Sequence, residues 1–338
     1  MVVGTGICMM SCNNGLHFAT KVISNLNNYL KERDQPEIKL TSISEQRFSN
    51  TEIKTNILES IRGKDVFIFQ DVANYSNNYS IDDNLRALKV LIDACKRSDV
   101  FRIVAVIPTF PYARQDKQWG RECVTAKMVS RELELAGANM VITLDLHNPS
   151  TTAFFESTIL INLKGRHNLC NYIKKNLDLN NFLVTGPDMG GIKRAIDFAN
   201  KLKLPVISIY KERDYSKVNV VTTMKLIGHA DNKNVLIVDD MLDTAGTMKG
   251  SCELLEENGA NEIYFACSLP FLNSPALERI NELRKKPIFK KIITTNVVYK
   301  SKEFLENNKD WYVQIDVSNY FAKVICNLHY SESIADYL

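Results

Sequence analysis

Several signals that mark special classes of protein are missing from this sequence. Lysine and arginine outnumber aspartate and glutamate by only 42 to 39, so no strong net field exists to attract nucleic acid or an anionic membrane. The eight cysteines form no CxxC pair and no cysteine–histidine cluster with zinc spacing. We therefore expect reduced thiols in a cytoplasmic protein, and any basic binding site must be local.

Long apolar segments are also missing. No run of the sequence approaches the roughly 18 apolar residues that a membrane span needs, and residues 1–12 lack a basic leader region. We expect no membrane partner and no nucleic-acid partner. At 338 residues the chain fits two domains of ordinary size.

Apolar runs of strand length alternate with amphipathic stretches. Residues 101–108 and 139–145 are predicted strands, and residues 124–137 between them are a predicted helix. The strands are continuously apolar, as buried parallel strands are, so we predict parallel sheets covered by helices. Another predicted helix spans 84–97, with an apolar face formed by Leu85, Leu88, Leu91, Ile92 and Cys95.

A weak internal repeat predicts a duplicated fold. The segment LELAGANMVI at 133–142 matches LEENGANEIY at 255–264, and each copy ends a helix and begins a strand. The strands before each copy, 103–110 and 235–242, also match. Gly137 and Gly259 stand where helix C-terminal glycines belong. We place a domain boundary near residue 160.

The segment VLIVDDMLDTAGTMKG, residues 235–250, carries the clearest chemical signal. A buried strand ends in Asp239 and Asp240, which can accept hydrogen bonds from the vicinal hydroxyls of a ribose. A loop of small residues then enters a helix, whose N-terminal N–H groups favour an anion. The residues expected to surround a sugar phosphate are Asp243, Thr244, Ala245, Gly246 and Thr247. In the alternative, an acidic turn merely caps the helix through Asp243.

This loop matches the phosphoribosyl diphosphate fingerprint of type I phosphoribosyltransferases, and nearly the whole chain resembles the ribose-phosphate diphosphokinase family. The motifs that carry the resemblance are SCNNG at 11–15, RFSNTEI at 47–53, RGKDVFIFQ at 62–70, DDNLRALKVLIDACKR at 82–97, VIPTFPYARQDK at 106–117, DLH at 145–147, GPDMGGIKRA at 186–195 and YKER at 210–213. The resemblance implies two α/β domains of the type I phosphoribosyltransferase kind, each a mainly parallel sheet flanked by helices. Their expected limits are 1–160 and 161–317, with 318–338 packed on the first.

The resemblance also implies a reaction: the β,γ-diphosphoryl group of Mg-ATP moves to the C1 hydroxyl of ribose 5-phosphate, giving AMP and phosphoribosyl diphosphate for nucleotide biosynthesis. Residues 239–247 would bind the sugar phosphate. The implied ATP residues are Phe48, Asn50, Glu52, Arg114, Gln115, Asp116 and Lys117. His147 and Asp188 are the implied Mg²⁺ ligands, and Lys211 and Arg213 the implied catalytic cations. Homo-oligomers, built from dimers and extending to hexamers, are implied as well.

The sequence departs from the family pattern at several places. Asn50 replaces an aspartate, and Ala245 replaces a glycine, which a small side chain tolerates if the local φ is negative. The stretch 148–157 lacks the glutamine and aspartate expected beside a second ADP site. Ser331 and Ser333 remain as candidate phosphate contacts, and we hypothesise that ADP inhibition at a separate site is weakened.

Three other functions account for only part of the sequence. A nucleobase phosphoribosyltransferase would share the phosphate loop but would need no ATP motifs in an N-terminal domain. A catalytically silent regulatory subunit would keep the fold and lose catalytic residues, yet those residues are present here. A scaffold without a ligand would leave the phosphate loop unexplained.

Overall fold

A computed structural model describes residues 4–73, 79–214 and 220–338, without the side chains of 212–214 and 220–223. Two compact units make up the chain. The first includes residues up to 164 together with 296–299 and 316–338, and the second includes 165–295 and 300–315.

The elements alternate along the chain as an α/β fold requires. They are β1 (Ile7–Ser11), α1 (Leu16–Lys31), β2 (Ile43–Arg47), β3 (Ile53–Ile57), β4 (Asp65–Phe69), α2 (Ile81–Lys96), β5 (Arg102–Val106), α3 (Thr125–Ala136), β6 (Met140–Leu144), β7 (Ile159–Leu163), α4 (Arg166–Asn176), β8 (Phe182–Thr185), α5 (Ile192–Leu202), β9 (Ser208–Asp214), β10 (Val220–Ile227), β11 (Asn234–Met241), α6 (Gly246–Glu257), β12 (Glu262–Leu269), α7 (Ala276–Arg284), β13 (Phe289–Thr295), α8 (Lys302–Asn307), β14 (Tyr312–Ile315) and α9 (Ser318–His329).

Each unit is built on a five-stranded, wholly parallel sheet. The order is β1-β4-β5-β6-β7 in the first unit and β14-β13-β12-β11-β8 in the second. Strands such as β4 are buried along their whole length, which accounts for their continuous apolar sequence. Two antiparallel hairpins, β2–β3 and β9–β10, accompany the sheets. The predicted fold class is confirmed.

Helices cover the sheets with the faces predicted from sequence. The apolar positions expected on α2 are all buried: Leu85, Leu88, Leu91, Ile92 and Cys95. Ser80 begins this helix by accepting a hydrogen bond from the N–H of Asp83, whose carboxylate accepts in return from the N–H of Ser80. The helix therefore begins at a defined residue and presents its apolar stripe to the core.

The internal repeat corresponds to two copies of one local structure. Gly137 follows α3 with φ 114°, and Gly259 closes the turn after α6 with φ 75°. In each copy the next N–H reaches back to the helix, from Ala138 to the carbonyl of Leu133 and from Ala260 to that of Leu255. A parallel strand pair, β5–β6 or β11–β12, brackets each junction.

The C-terminal helix α9 belongs to the first unit and packs against α1. The ring of Phe321 is fully buried and meets Phe18 edge-on at 5.0 Å between centroids. At the far end of α9, Nδ1 of His329 lies 2.7 Å from the buried carboxylate of Asp65, which also accepts from Arg102. Apolar packing and a buried polar network together fix this helix.

No helix among the described residues is both long enough and apolar enough to cross a membrane.

Candidate active site

The expected phosphate loop lies between β11 and α6 and is open to an anion. Ala245 is the N-cap of α6, and no side chain caps the helix. Four consecutive N–H groups of this loop donate to no acceptor among the residues that the structure describes. They belong to Thr244, Ala245, Gly246 and Thr247. Unsatisfied donors at a helix N-terminus form an anion site.

Two expectations about this loop need correction. Ala245 adopts φ 59° rather than a negative φ, so its Cβ is accommodated in the left-handed region at a cost of about 1–2 kcal/mol. The helix-cap alternative is also wrong, because Asp243 precedes the N-cap. The carboxylate of Asp243 accepts a 2.8 Å hydrogen bond from Nδ2 of Asn273. The loop is therefore held open rather than closed by an internal cap.

Asp239 and Asp240 at the end of β11 share one cation, Arg194 of α5. Nη1 of Arg194 lies 2.7 Å from Asp239, and Nη2 lies 3.4 Å from Asp240. Burial and the neighbouring charge of Asp240 raise the pKa of Asp239 well above its usual range, and Arg194 opposes that shift. The guanidinium thus partly offsets the repulsion between two adjacent acidic residues at the expected ribose site.

The Lys211 side chain projects from β9 to the same loop. Its Nζ lies 3.5 Å from Oγ1 of Thr247, the first threonine of α6. The strand carrying Lys211 pairs with β10. Arg213 follows two positions later on β9, and its side chain lies outside the described residues.

The GPDMGG turn also reaches this part of the second unit. Asp188 caps the 3-10 helix Met189–Gly191, and its Oδ1 accepts from the N–H of Gly191 at 3.2 Å. Ser251 of α6 donates to the carbonyl of Pro187 at 3.3 Å, which ties α6 to this turn. Three separated motifs, 186–195, 208–214 and 239–247, therefore meet in the second unit.

In the first unit, the expected adenine-binding residues form the turn of the β2–β3 hairpin. The N–H of Phe48 donates to the carbonyl of Glu52, and Oδ1 of Asn50 accepts from the N–H of Glu52 at 3.2 Å. The ring of Phe48 is 44% exposed, a high value for a large aromatic side chain. A base could therefore stack on it without displacing the core.

The expected triphosphate loop, 112–117, divides into exposed and internal residues. Arg114 and Lys117 are exposed, with the Lys117 ammonium 5.5 Å from the Trp119 ring centre. Gln115 accepts a 2.6 Å hydrogen bond from the Thr125 hydroxyl. Asp116 instead is 7% exposed and accepts from Asn148 at 2.7 Å, next to His147 of the DLH motif. Its contacts tie two motifs together.

The expected metal ligands are accessible side chains. His147 is exposed and Asp188 is half-buried. Among the residues that the structure describes, no three histidine, cysteine, aspartate or glutamate side chains converge as a metal cage. A Mg²⁺ ion bound mainly through substrate phosphates and water needs no such cage.

Known proteins show the same organisation. Residues 7–137 match the model for the N-terminal domain of ribose phosphate pyrophosphokinase, and residues 158–315 match the phosphoribosyl transferase domain. The chain is 39% identical over 292 residues to a ribose-phosphate pyrophosphokinase of Chlorobaculum tepidum, covering 86% of this chain and 85% of that protein. The chain belongs to the ribose-phosphate pyrophosphokinase family. This membership removes the support for a nucleobase phosphoribosyltransferase, because that function would leave the N-terminal match unexplained.

Further members of the ribose-phosphate pyrophosphokinase family are similar over most of the chain. Ribose-phosphate pyrophosphokinase 2 of Saccharomyces cerevisiae is 38% identical over 299 residues, which is 88% of this chain and 89% of that protein. A crystal structure of phosphoribosylpyrophosphate synthetase from Mycobacterium smegmatis matches with a TM-score of 0.83 at 26% identity. That match covers 97% of this chain and all of the other.

Sequence motifs do not reveal the contacts that two basic residues make beside the phosphate loop. Arg194 is inside GPDMGGIKRA, where a basic residue at a helix start has a plain structural interpretation. Arg279 of α7 donates a 2.8 Å hydrogen bond to the carbonyl of Thr244, and its segment resembles no binding motif. Both contacts join residues far apart in sequence, so only the folded chain reveals them.

Proposed function

We propose that this protein transfers the β,γ-diphosphoryl group of Mg-ATP to the C1 hydroxyl of ribose 5-phosphate, releasing AMP and phosphoribosyl diphosphate. The observation that carries the proposal is the end of β11. Two carboxylates there precede four N–H groups that have no acceptor among the described residues, and Lys211 lies beside them. This arrangement suits a ribose phosphate whose reacting end needs a cation.

The ribose ring and the 5-phosphate would contact different parts of this loop. Asp239 and Asp240 accept hydrogen bonds from the ribose hydroxyls, and residues 244–247 donate N–H groups to the 5-phosphate. The hydroxyls of Thr244 and Thr247 add further donors. The carboxylates repel a phosphate while the helix N-terminus attracts one, so the ligand has one favoured orientation.

Lys211 and Arg213 would neutralise the charge that develops as the diphosphoryl group leaves the α-phosphate of ATP. The C1 hydroxyl attacks the β-phosphorus and releases its proton to water, the bond from the β-phosphorus to the oxygen bridging to the α-phosphate breaks, and AMP leaves. Positioning and electrostatic stabilisation carry most of the rate in such transfers. No covalent enzyme intermediate is required.

ATP would bind to the first unit. The exposed ring of Phe48 stacks on adenine, while Asn50 and Glu52 accept hydrogen bonds from its amino group. The triphosphate meets donors of the 112–117 loop, chiefly Arg114, Gln115 and Lys117. Asp116 acts there through its hydrogen bond to Asn148 rather than by direct contact.

Mg²⁺ would be bound mainly by phosphate oxygens, with Asp188 as a proposed ligand in the second unit and His147 as a proposed ligand in the first. One carboxylate oxygen of Asp188 accepts from Gly191, and the other has no protein partner among the described residues, so it suits a hard cation. The bound ion supplies charge neutralisation on the phosphates. A cytoplasmic homo-oligomer, built from dimers, is proposed as the working form.

The proposal is tested by AMP formation from the purified chain and Mg-ATP, with and without ribose 5-phosphate. We expect AMP only when the sugar phosphate is present. Lys211→Ala should lower kcat by about 100-fold or more, because a preorganised charge at a transition state contributes several kcal/mol. Lys225→Ala is the matched control, since Lys225 is an exposed lysine on the hairpin partner strand β10.

The silent-subunit alternative gives the opposite pattern. A chain that binds ribose 5-phosphate in calorimetry but forms no AMP would be a regulatory subunit. If Lys211→Ala and Lys225→Ala lose activity equally, Lys211 has no specific catalytic role. The reaction proposed for the wild-type protein would not be affected by that result.

Assembly can be tested separately. Leu135 on the outer face of α3 is 81% exposed and Met128 is 47% exposed, an apolar surface of the kind that subunit interfaces bury. Light scattering should give a mass that is a multiple of 38.4 kDa, and Leu135→Glu should reduce it if this face is used. A wild-type mass of 38.4 kDa at assay concentration would contradict the oligomer.

A further inference from the structure

Arg279 contacts the backbone of the phosphate loop from outside the recognised motifs. It lies on α7, and its Nη1 donates a 2.8 Å hydrogen bond to the carbonyl oxygen of Thr244. Within the part of the chain that the structure describes, no carboxylate forms an ion pair with Arg279. Glu282, one turn further along α7, pairs with Lys249 instead. The Arg279 charge therefore remains available to the loop.

The hydrogen bond determines the direction of one N–H group. In a trans peptide the carbonyl of residue 244 and the N–H of residue 245 point in opposite directions. The only cis bond found in the described chain is Ser274–Pro275. Because Arg279 holds the Thr244 carbonyl on one side, the N–H of Ala245 is turned to the opposite side, away from α7.

The backbone conformation of Ala245 explains why this peptide needs a restraint. Its φ of 59° is a conformation that a residue with a Cβ adopts only when its surroundings impose it. The carbonyl of Thr244 is not used by the helix, since the first backbone bond of this turn runs from Lys249 to Ala245. Arg279 supplies the partner that keeps the Thr244–Ala245 peptide in its strained orientation.

Gly246 shows how closely Arg279 approaches. A Cβ at position 246 would lie 3.0 Å from Nη1 of Arg279, tighter than an ordinary contact. The absence of a side chain there lets the guanidinium lie against the first turn of α6. Its positive charge adds to the positive end of the helix dipole.

We propose that Arg279 is a positioning residue for ribose 5-phosphate. It locks the Thr244–Ala245 peptide so that the Ala245 N–H faces the phosphate, and its charge strengthens the anion site. This inference rests on the proposed function for the identity of the ligand. It assigns to α7 a part in binding the sugar phosphate that the loop sequence alone does not contain.

The expected effect of Arg279→Ala is selective. A hydrogen bond from a charged donor contributes enough that its loss should raise the KM and the Kd for ribose 5-phosphate about 10- to 100-fold. The KM for ATP should change less than about twofold, because Arg279 acts on the sugar-phosphate loop alone. Arg279→Lys keeps the charge but not the planar donor geometry and should restore affinity in part.

A second substitution tests the strain argument. Glycine adopts the left-handed conformation without the Cβ penalty, so Ala245→Gly should recover about fivefold of the affinity lost in Arg279→Ala. The same substitution should gain less in the presence of Arg279, which already holds the peptide. A purely structural role for Arg279 would not produce this coupling.

The experiment combines calorimetric binding of ribose 5-phosphate, without ATP, and steady-state kinetics on the full chain. Arg284→Ala is the control, because Arg284 lies on the same helix and pairs with Asp310 instead of the loop. Wild-type AMP formation tests the proposed function independently. Wild-type affinity for ribose 5-phosphate in Arg279→Ala, or equal increases in both KM values, would overturn the positioning role.

Discussion

The guanidinium of Arg194 lies 2.7 Å from the carboxylate of Asp239, joining the start of α5 to the end of β11. Asp240 is the next residue, and Arg194 is close to it as well at 3.4 Å. Two neighbouring acids at a buried strand end are unfavourable unless a cation compensates them. The interaction therefore organises the proposed ribose site before any ligand binds.

This arrangement makes stability depend on pH. Burial and Asp240 raise the pKa of Asp239, so the folded chain holds that proton more tightly than the unfolded chain does. The contribution to stability is complete below the ordinary carboxyl pKa and is lost as pH rises through the raised pKa. Arg194→Gln should raise this pKa further and destabilise the protein by about 1.5–3 kcal/mol near neutral pH.

Urea unfolding between about pH 5 and pH 8 measures this effect. The free energy of unfolding should fall more steeply with pH in Arg194→Gln than in the wild type. Asp239→Asn in the same background should remove the difference. Parallel curves for wild type and Arg194→Gln would contradict the proposed electrostatic role of Arg194.

A prediction for ATP follows from the exposure of Phe48. Phe48→Leu should raise the KM for ATP about tenfold, since stacking on a base contributes about 1–3 kcal/mol, and Phe48→Tyr should retain most of the affinity. Phe101→Leu is the control, because Phe101 is similarly exposed, at 43%. If Phe48→Leu shifts the KM for ribose 5-phosphate and not that for ATP, the adenine assignment fails.

The buried C-terminal helix gives a stability prediction. Phe321→Ala removes a fully buried ring from the contact of α9 with α1 and should cost about 3–5 kcal/mol of unfolding free energy. The exposed Phe101→Ala should change it by less than about 0.5 kcal/mol. Chemical denaturation compares the two, and similar midpoints would show that α9 contributes little.

Regulation by ADP yields a further prediction. The stretch after DLH forms a short 3-10 helix, Pro149–Phe154, in which Thr151 is buried. Near the C-terminus, Oγ of Ser333 already accepts from the N–H of Ala335 at 3.2 Å. We expect ADP to inhibit mainly in competition with ATP. Strong inhibition that excess ATP does not relieve would contradict a weakened second site.

Local sequence patterns predicted most of the fold because the forces that form it are local. The apolar face of α2 and the glycine at the end of α3 follow from helical periodicity and from the left-handed conformation, and both are confirmed. The predicted strand 101–108 is shorter in the structure, where β5 spans Arg102–Val106. Strand ends fray into turns that apolar content does not define.

The site was less predictable where it depends on tertiary contacts. Alanine carries no sequence signal for a left-handed conformation, so the positive φ of Ala245 follows only from the folded chain. Arg194 and Arg279 reach the phosphate loop only after α5 and α7 pack beside it.

Diphosphoryl transfer can be followed with ATP that carries a radioactive label at either the β- or the γ-phosphate. With ribose 5-phosphate present, we predict that both labels move together into one sugar product and that unlabelled AMP accumulates in equal amount. Transfer of the γ-label alone with release of ADP, or no transfer while ribose 5-phosphate still binds, would contradict the proposed diphosphoryl transfer.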